Sequence, residues 1–176
     1  MKNSNDIDKE PKQVFIDNAV PANAEEIVSI TKDTWRAVYP SPENGVTKHW
    51  VYKTASSFNV NYLLENFDKD NGDQNKIFIV AKDKNAEIIG FLRGIKYPHY
   101  TELRSCYLRI KSIGTGTGGA LMEYFLNWAG HTKPIKLDVA SYNERAIGFY
   151  EHYGFKKTDE PLEKFLGVMP QTRMIK

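Results

Sequence analysis

Residues 113–119, Ile-Gly-Thr-Gly-Thr-Gly-Gly, place Gly114, Gly116, Gly118 and Gly119 directly before a strong helical pattern. A run from Glu102 through Lys111 and Ser112 reads as the strand that enters them. Beyond them Ala120, Leu121, Tyr124, Phe125, Trp128 and Ala129 make one apolar helical stripe. The first turn of a helix carries backbone N–H groups with no internal partner. Without Cβ atoms, a bulky anion can come close to those donors. Each N–H bond to a charged phosphate oxygen contributes about 1.5–3 kcal/mol. The pattern is that of a phosphate cradle made of main-chain amides from Ile113 to Gly119, with Thr115 and Thr117 between the glycines. The phosphate need not belong to a nucleoside triphosphate.

The rest of the chain has to position that cradle. Its 176 residues suit one domain with a sizeable core. Hydrophobic and charged fractions of 41% and 26% are those of an ordinary soluble protein. A net charge of +2 makes no electrostatic case for nucleic acid. The single cysteine, Cys106, cannot form an intrachain disulfide or a thiolate zinc site. His49, His99, His131 and His152 lack metal-ligand spacing, so no metal is expected. No apolar stretch is long enough to span a bilayer, and the polar start has no signal-peptide core. The expectation is a cytoplasmic protein.

In chain order, residues 1–12 read as a polar tail and 13–176 as the folded domain. A first strand covers Val14 to Val20. Asn23 then caps a helix whose face is Ala24, Ile27, Val28, Thr31, Trp35 and Val38, ending near Pro40. Helical segments follow from Thr47 to about Ala55 and over 58–69. Lys76 to Lys82 and Glu87 to Ile95 form a hairpin, followed by the strand at 102–110. After the glycine-led helix come a strand at Pro134 to Val139, a short helix from Asn143 to about Tyr153, and a final hairpin from Gly154–Asp159 and Thr172–Ile175. The fold class is α/β (α+β): a mixed, mostly antiparallel sheet flanked by helices.

Three ligands compete for the glycines. A P-loop needs Gly-Lys-Ser/Thr, and no Gly-Lys pair follows. A dinucleotide fingerprint is spelled by Gly114, Gly116 and Gly119, with Asp138 closing the next strand 19 residues after Gly119. Topology opposes it, because that motif belongs on a first strand with further βα units after it. Only 38 residues follow Asp138, too few for more than a short helix and a hairpin.

The third reading uses a second motif. Asn143, Ala146, Phe149, Tyr150, Gly154 and Phe155 spell Asn-x-x-Ala-x-x-Phe-Tyr-x-x-x-Gly-Phe after the next strand. Together with Gly114, Gly116 and Gly118, this resembles the GNAT acyltransferase superfamily. Ile113 stands where that family carries Arg or Gln, so only a backbone role carries over there. Thr34-Trp35, Tyr39-Pro40, Gly45-Val46-Thr47 and Cys106-Tyr107-Leu108 are more loosely similar to the PaiA type, which includes spermidine and spermine acetyltransferases.

The resemblance implies acetyl-CoA as co-substrate, its diphosphate on the cradle and its pantetheine arm paired with backbone of Cys106, Tyr107 and Leu108 as an added strand. Asn143 would meet the cofactor or cap its own helix; the two are compatible. Tyr150 corresponds to the family's general acid, and as a phenol with a pKa of about 10 it stays protonated. Helical spacing alone makes it a core aromatic. Glu102 is a candidate general base or a solvated strand-edge carboxylate. Trp35 and Tyr39 are an acceptor wall or plain helical core. Cys106 reads as a reduced core thiol, so transfer is direct. The acidic set Glu65, Asp68, Asp70 and Asp73 would attract a polycation or simply be solvated. The implied reaction is acetylation of a small primary amine, a polyamine first and an aminoglycoside-like amine or peptide N-terminus next. Non-enzymatic acyl-CoA binding is the alternative. A homodimer is left open.

Overall fold

The computed structural model describes residues 13–70 and 72–176. The expected tail at 1–12 lies outside the described residues, as do Asn71 and the side chains of residues 68–70. Seven strands form one sheet: β1 (Phe15–Asn18), β2 (Lys76–Lys82), β3 (Ile88–Lys96), β4 (Thr101–Leu108), β5 (Ile135–Ala140), β6 (Lys156–Lys157) and β7 (Gln171–Ile175). Their order is β1-β2-β3-β4-β5-β7-β6, antiparallel except for the β4–β5 pair. The helices are α1 (Ala24–Val38), α2 (Lys48–Ser57), α3 (Val60–Asp70), α4 (Thr117–Ala129) and α5 (Glu144–His152).

The apolar run in β2 needs cover on both faces, and alternate side chains obtain it from different layers. Ile77, Ile79 and Ala81 join Leu121, Met122 and Phe125 of α4 in one core. Val80 joins Ile27, Ile30 and Leu63 of α1 and α3 in a second. A third core sits at the end of α1, where Trp35 meets Val46, Val51, Ala55, Ala140 and Met169.

Several expected boundaries move for local reasons. The strand expected to reach 110 stops at Leu108, and Ile110–Ser112 is a short 3₁₀ turn. Arg109 fixes that break: its N–H donates to the Ile89 carbonyl at 2.9 Å and its Nε to the Ile88 carbonyl at 2.6 Å. Asn23 precedes α1 but does not cap it; its Oδ1 accepts from the Val20 N–H across the turn Pro21–Asn23. Ile30 and Thr34 are also buried on α1. On α4 the buried face is Leu121, Met122 and Phe125, while Tyr124 is 44% exposed at the rim. The closing strands β6 and β7 do pair, but residues 158–170 separate them, so they are no tight hairpin.

One irregularity shapes the centre. Between β3 and β4, Arg93 pairs with Ser105 and Gly94 with Leu103, leaving Arg104 as an extra residue. This is a β-bulge, which bends its strand and changes which residues face which side. Leu103 before it and Cys106 and Leu108 after it face the α4 core, whereas Tyr107 faces α1. On its other edge β4 pairs with β5 only at Thr101↔Ile135 and Glu102↔Lys136. Past that point β5 runs with β7 alone, from Lys136↔Ile175 to Ala140↔Gln171.

Gly94 sits where the bulge closes over α4. A Cβ there would stand 2.5 Å from Phe125 Cε2 and 3.1 Å from Ile77 Cγ2, and Phe125 is fully buried. Gly94→Ala should therefore overpack this core and cost about 1–3 kcal/mol. Urea unfolding checks this: the midpoint should fall with the slope unchanged.

Candidate active site

The divergence of β4 from β5 opens a cavity of about 850 Å³ that passes through the sheet. Leu103 to Leu108 line one side and Leu137 to Ala140 the other. At one end lie Ile113, Gly114, Gly116, Gly118 and Gly119; at the other, α1 and α3 contribute Trp35, Tyr39 and Tyr62. Arg93 of β3 also reaches this end, its guanidinium over the Phe78 ring at 4.9 Å.

The glycines divide by role. Gly114 and Gly116 have φ of +75° and +89°, in the left-handed region that L side chains avoid, and added Cβ atoms there would meet open space. Gly116 precedes the first turn of α4, so the N–H groups of Thr117, Gly118 and Gly119 have no helical acceptor. Gly118 and Gly119 instead permit close packing with α5: added Cβ atoms would lie 3.4 Å from Phe149 and 3.0 Å from the Tyr153 hydroxyl. Thr115 and Thr117 do not line the cavity. The Thr115 hydroxyl donates to the Ser112 carbonyl at 2.8 Å and lies 3.0 Å from that of Thr117, which is fully buried. Their side chains hold the loop's shape.

Asn143 lines the cavity and also accepts from the Ala146 N–H at 3.2 Å, capping α5. That cap fixes the helix carrying Tyr150. The Tyr150 ring packs edge-on against Phe149 and Phe155, with centroids 5.5 and 5.9 Å away. Burial, then the neighbouring Cys106 and Tyr107, hold its phenol well above its ordinary pKa. Its hydroxyl donates to no described residue.

Glu102 is not brought to this place. It belongs to the stretch of β4 still paired with β5, ahead of the bulge, and its carboxylate meets Arg104 at 3.3 Å outside the cavity lining. Trp35 is 3% exposed, and Tyr39 is edge-on to it at 4.7 Å, so the pair is packed core and cavity wall at once. Asp138 lines the cavity, but Arg173 holds its carboxylate through two bonds of 2.8 and 3.0 Å. The glycines follow the fourth strand and not the first, so the topology of the dinucleotide reading is absent. Among the described residues no group of His, Cys, Asp and Glu is placed to hold a metal ion. No helix among them is long and apolar enough to cross a membrane.

Sequence reasoning missed Arg93, Phe165 and the Tyr107 side chain. Arg93 interrupts an apolar strand, a signal that was visible; Phe165 comes from a stretch with no periodicity.

The sequence matches the acetyltransferase (GNAT) family over residues 25–155. The chain belongs to that family. It is thus an acyltransferase by family, built on the fold described above. A comparison with curated protein sequences finds no match. Among solved structures, PaiA N-acetyltransferase from Thermoplasma acidophilum, in complex with coenzyme A, is similar with a TM-score of 0.72 at 20% identity over 93% of this chain and 98% of that one. Spermidine N-acetyltransferase from Vibrio cholerae, in complex with CoA and spermine, gives 0.69 at 19% identity over 93% and 94%. Ard1 from Thermoplasma volcanium gives 0.69 at 19% over 93% and 96%. At these identities the likeness is one of fold.

Burial raises the Cys106 thiol to about 12, so at pH 8 only about one molecule in ten thousand carries the thiolate. Native protein should therefore react far more slowly with a disulfide reagent at pH 8 than protein unfolded in guanidinium, followed by absorbance of the released thiolate.

Proposed function

We propose that the protein transfers an acetyl group from acetyl-CoA to the primary amine of a small molecule, with Tyr150 as general acid. The observation that carries this is the continuity of the cavity: one passage leads from Gly116, Gly118 and Gly119 along the open edge of β4 to Tyr150. The cradle would hold the diphosphate through the amides of Gly118 and Gly119, and the β4 backbone at Cys106 to Leu108 would take the arm as an added strand. Bound there, the coenzyme supplies an activated acetyl carbon. The neutral amine forms a C–N bond to that carbon, the C–S bond breaks, and the departing sulfur takes the Tyr150 proton. The proton lost by the amine returns to Tyr150 through solvent, leaving an N-acetyl amine and free thiol.

A polyamine is the first candidate acceptor, supported by the spermidine and spermine named for the Vibrio cholerae neighbour. A peptide N-terminus is the second. The lining supports it in one respect: among the described residues Asp138 is the only carboxylate there and is paired with Arg173, and two arginines, Arg93 and the Glu102-paired Arg104, also line the cavity. Acyl-CoA binding without turnover is the remaining reading, supported by Ile113 in place of Arg or Gln.

The test is thiol release from acetyl-CoA with a panel of polyamines and peptides. At about 100 times its dissociation constant, acetyl-CoA should also add about 2.7 kcal/mol of stability, read as a thermal shift. Tyr150 has a raised pKa, so it stays protonated throughout pH 6–9, while an alkyl amine with a pKa of about 10.4 deprotonates progressively. Activity should rise with pH across that window. Tyr150→Phe should lower kcat roughly 10²–10⁴-fold at every pH in it and keep the acetyl-CoA shift. An unchanged kcat would remove Tyr150 from the reaction.

A further inference from the structure

Tyr39, at the end of α1, and Tyr107 of β4 both line the cavity. Their hydroxyls are linked in one direction. The Tyr39 hydroxyl donates to the Tyr107 oxygen at 3.4 Å, and Trp35 Nε1 donates to the same oxygen at 3.1 Å. The frame around them is tied down. The Tyr142 hydroxyl donates to the Tyr39 carbonyl at 2.7 Å, and the Thr34 hydroxyl ties α1 to the Leu108 carbonyl at 2.9 Å.

A phenol has one hydrogen to donate and two lone pairs to accept with. Both lone pairs of Tyr107 are taken, so toward a ligand it can only donate. Tyr39 has committed its hydrogen and its hydroxyl accepts from no described residue, so toward a ligand it can only accept. Burial holds both phenols above their ordinary pKa, with the bonds from Tyr39 and Trp35 pulling Tyr107 partly back, so both keep their hydrogens at neutral pH. The wall thus presents one fixed donor and one fixed acceptor 3.4 Å apart. A plain alkyl amine can use only the acceptor, and it leaves the Tyr107 hydrogen unpartnered once it has displaced water, which is costly. An α-amino carbonyl compound can use both, because its nitrogen and its carbonyl oxygen lie about 2.7–3.6 Å apart, depending on rotation. A hydroxyl in place of that carbonyl would bring a further hydrogen needing its own acceptor.

We infer that Tyr39 and Tyr107 select an acceptor with a carbonyl beside its amine, as in an amino-acid amide or a peptide N-terminus: Tyr39 accepts one N–H of the amine, and Tyr107 donates to the neighbouring carbonyl oxygen. The inference rests on the acetyl-transfer reading above and chooses among its acceptors. Because Tyr39 can only accept, it orients the amine without tying up the nitrogen lone pair that must attack. Tyr107 sets the specificity, since its hydrogen is satisfied only by an acceptor that carries the oxygen.

The experiment measures kcat/KM for glycinamide, a glycyl peptide, propylamine and spermidine. Each value is referred to the free amine, because an α-amino group with a pKa of about 8 and an alkyl amine with one of about 10.4 differ in that fraction. In wild type, glycinamide or the glycyl peptide should lead propylamine by about 10-fold or more, and the faster of the two names the source. Tyr107→Phe should bring that ratio close to unity while keeping the acetyl-CoA thermal shift, which shows the variant folded and the coenzyme end intact. Differences in amine basicity cancel when the two ratios are compared. The inference is overturned by a wild-type ratio near unity, by a ratio that Tyr107→Phe leaves unchanged, or by spermidine leading every carbonyl-bearing amine. Should Tyr107→Phe lose the acetyl-CoA shift, the wild-type ratios decide alone. If wild-type protein turns over no amine, acetyl transfer itself fails, and the inference with it. Turnover of all four amines with a flat ratio sinks this inference alone.

Discussion

The parallel pairing of β4 with β5 ends after two residues, and the site depends on that ending. A sheet interior normally keeps every N–H and C=O paired across neighbouring strands. Here Arg104, the extra residue of the bulge, bends β4 away while β5 stays on its other partner, β7. Two strand edges then face one another across a gap inside the sheet. Their polar backbone groups need a partner, and an extended ligand of amide character can supply one. The same bulge carries Tyr107 toward α1 and Cys106 toward the α4 core. Burial of the thiol and presentation of the hydroxyl thus come from one irregularity.

The two ends of the gap are held together by helix packing. Because Gly118 and Gly119 lack Cβ atoms, α5 lies directly on the start of α4, with Phe149 and Tyr153 against the glycines. That contact sets the height of Tyr150 relative to the cradle. Asn143 fixes the start of the same helix. The glycine run therefore does two jobs: Gly114 and Gly116 turn the loop through left-handed backbone, and the next two glycines seat the helix that carries the phenol. On the opposite face, the aromatic cluster around Trp35 holds the end of α1 against β4, with Phe58 and Phe165 edge-on or tilted against the indole at 5.2 and 5.6 Å. Aromatic packing of this kind is directional, so hydroxyl positions in this cluster are held by ring geometry as well as by hydrogen bonds.

The chain alone determined what short-range periodicity and capping can encode. The apolar run of β2 fixed Lys76–Lys82, the glycine run fixed the start of α4, and Thr47 fixed the start of α2 by accepting from the Trp50 N–H. The Asn143-to-Phe155 motif and the glycines together carried the family, because both lie within local strand-to-helix turns. Tertiary structure decided the rest. Whether Glu102 lies in the cleft depends on the β3–β4–β5 register, and a bulge of one residue moves everything beyond it to the other face. Whether Asp138 is free depends on Arg173, 35 positions away in sequence. The Tyr107 hydroxyl finds its two donors only when α1 brings Trp35 and Tyr39 across β4. Periodicity records which residues share a face of one element. It contains no term for the register between elements, and in this protein the register sets the active site.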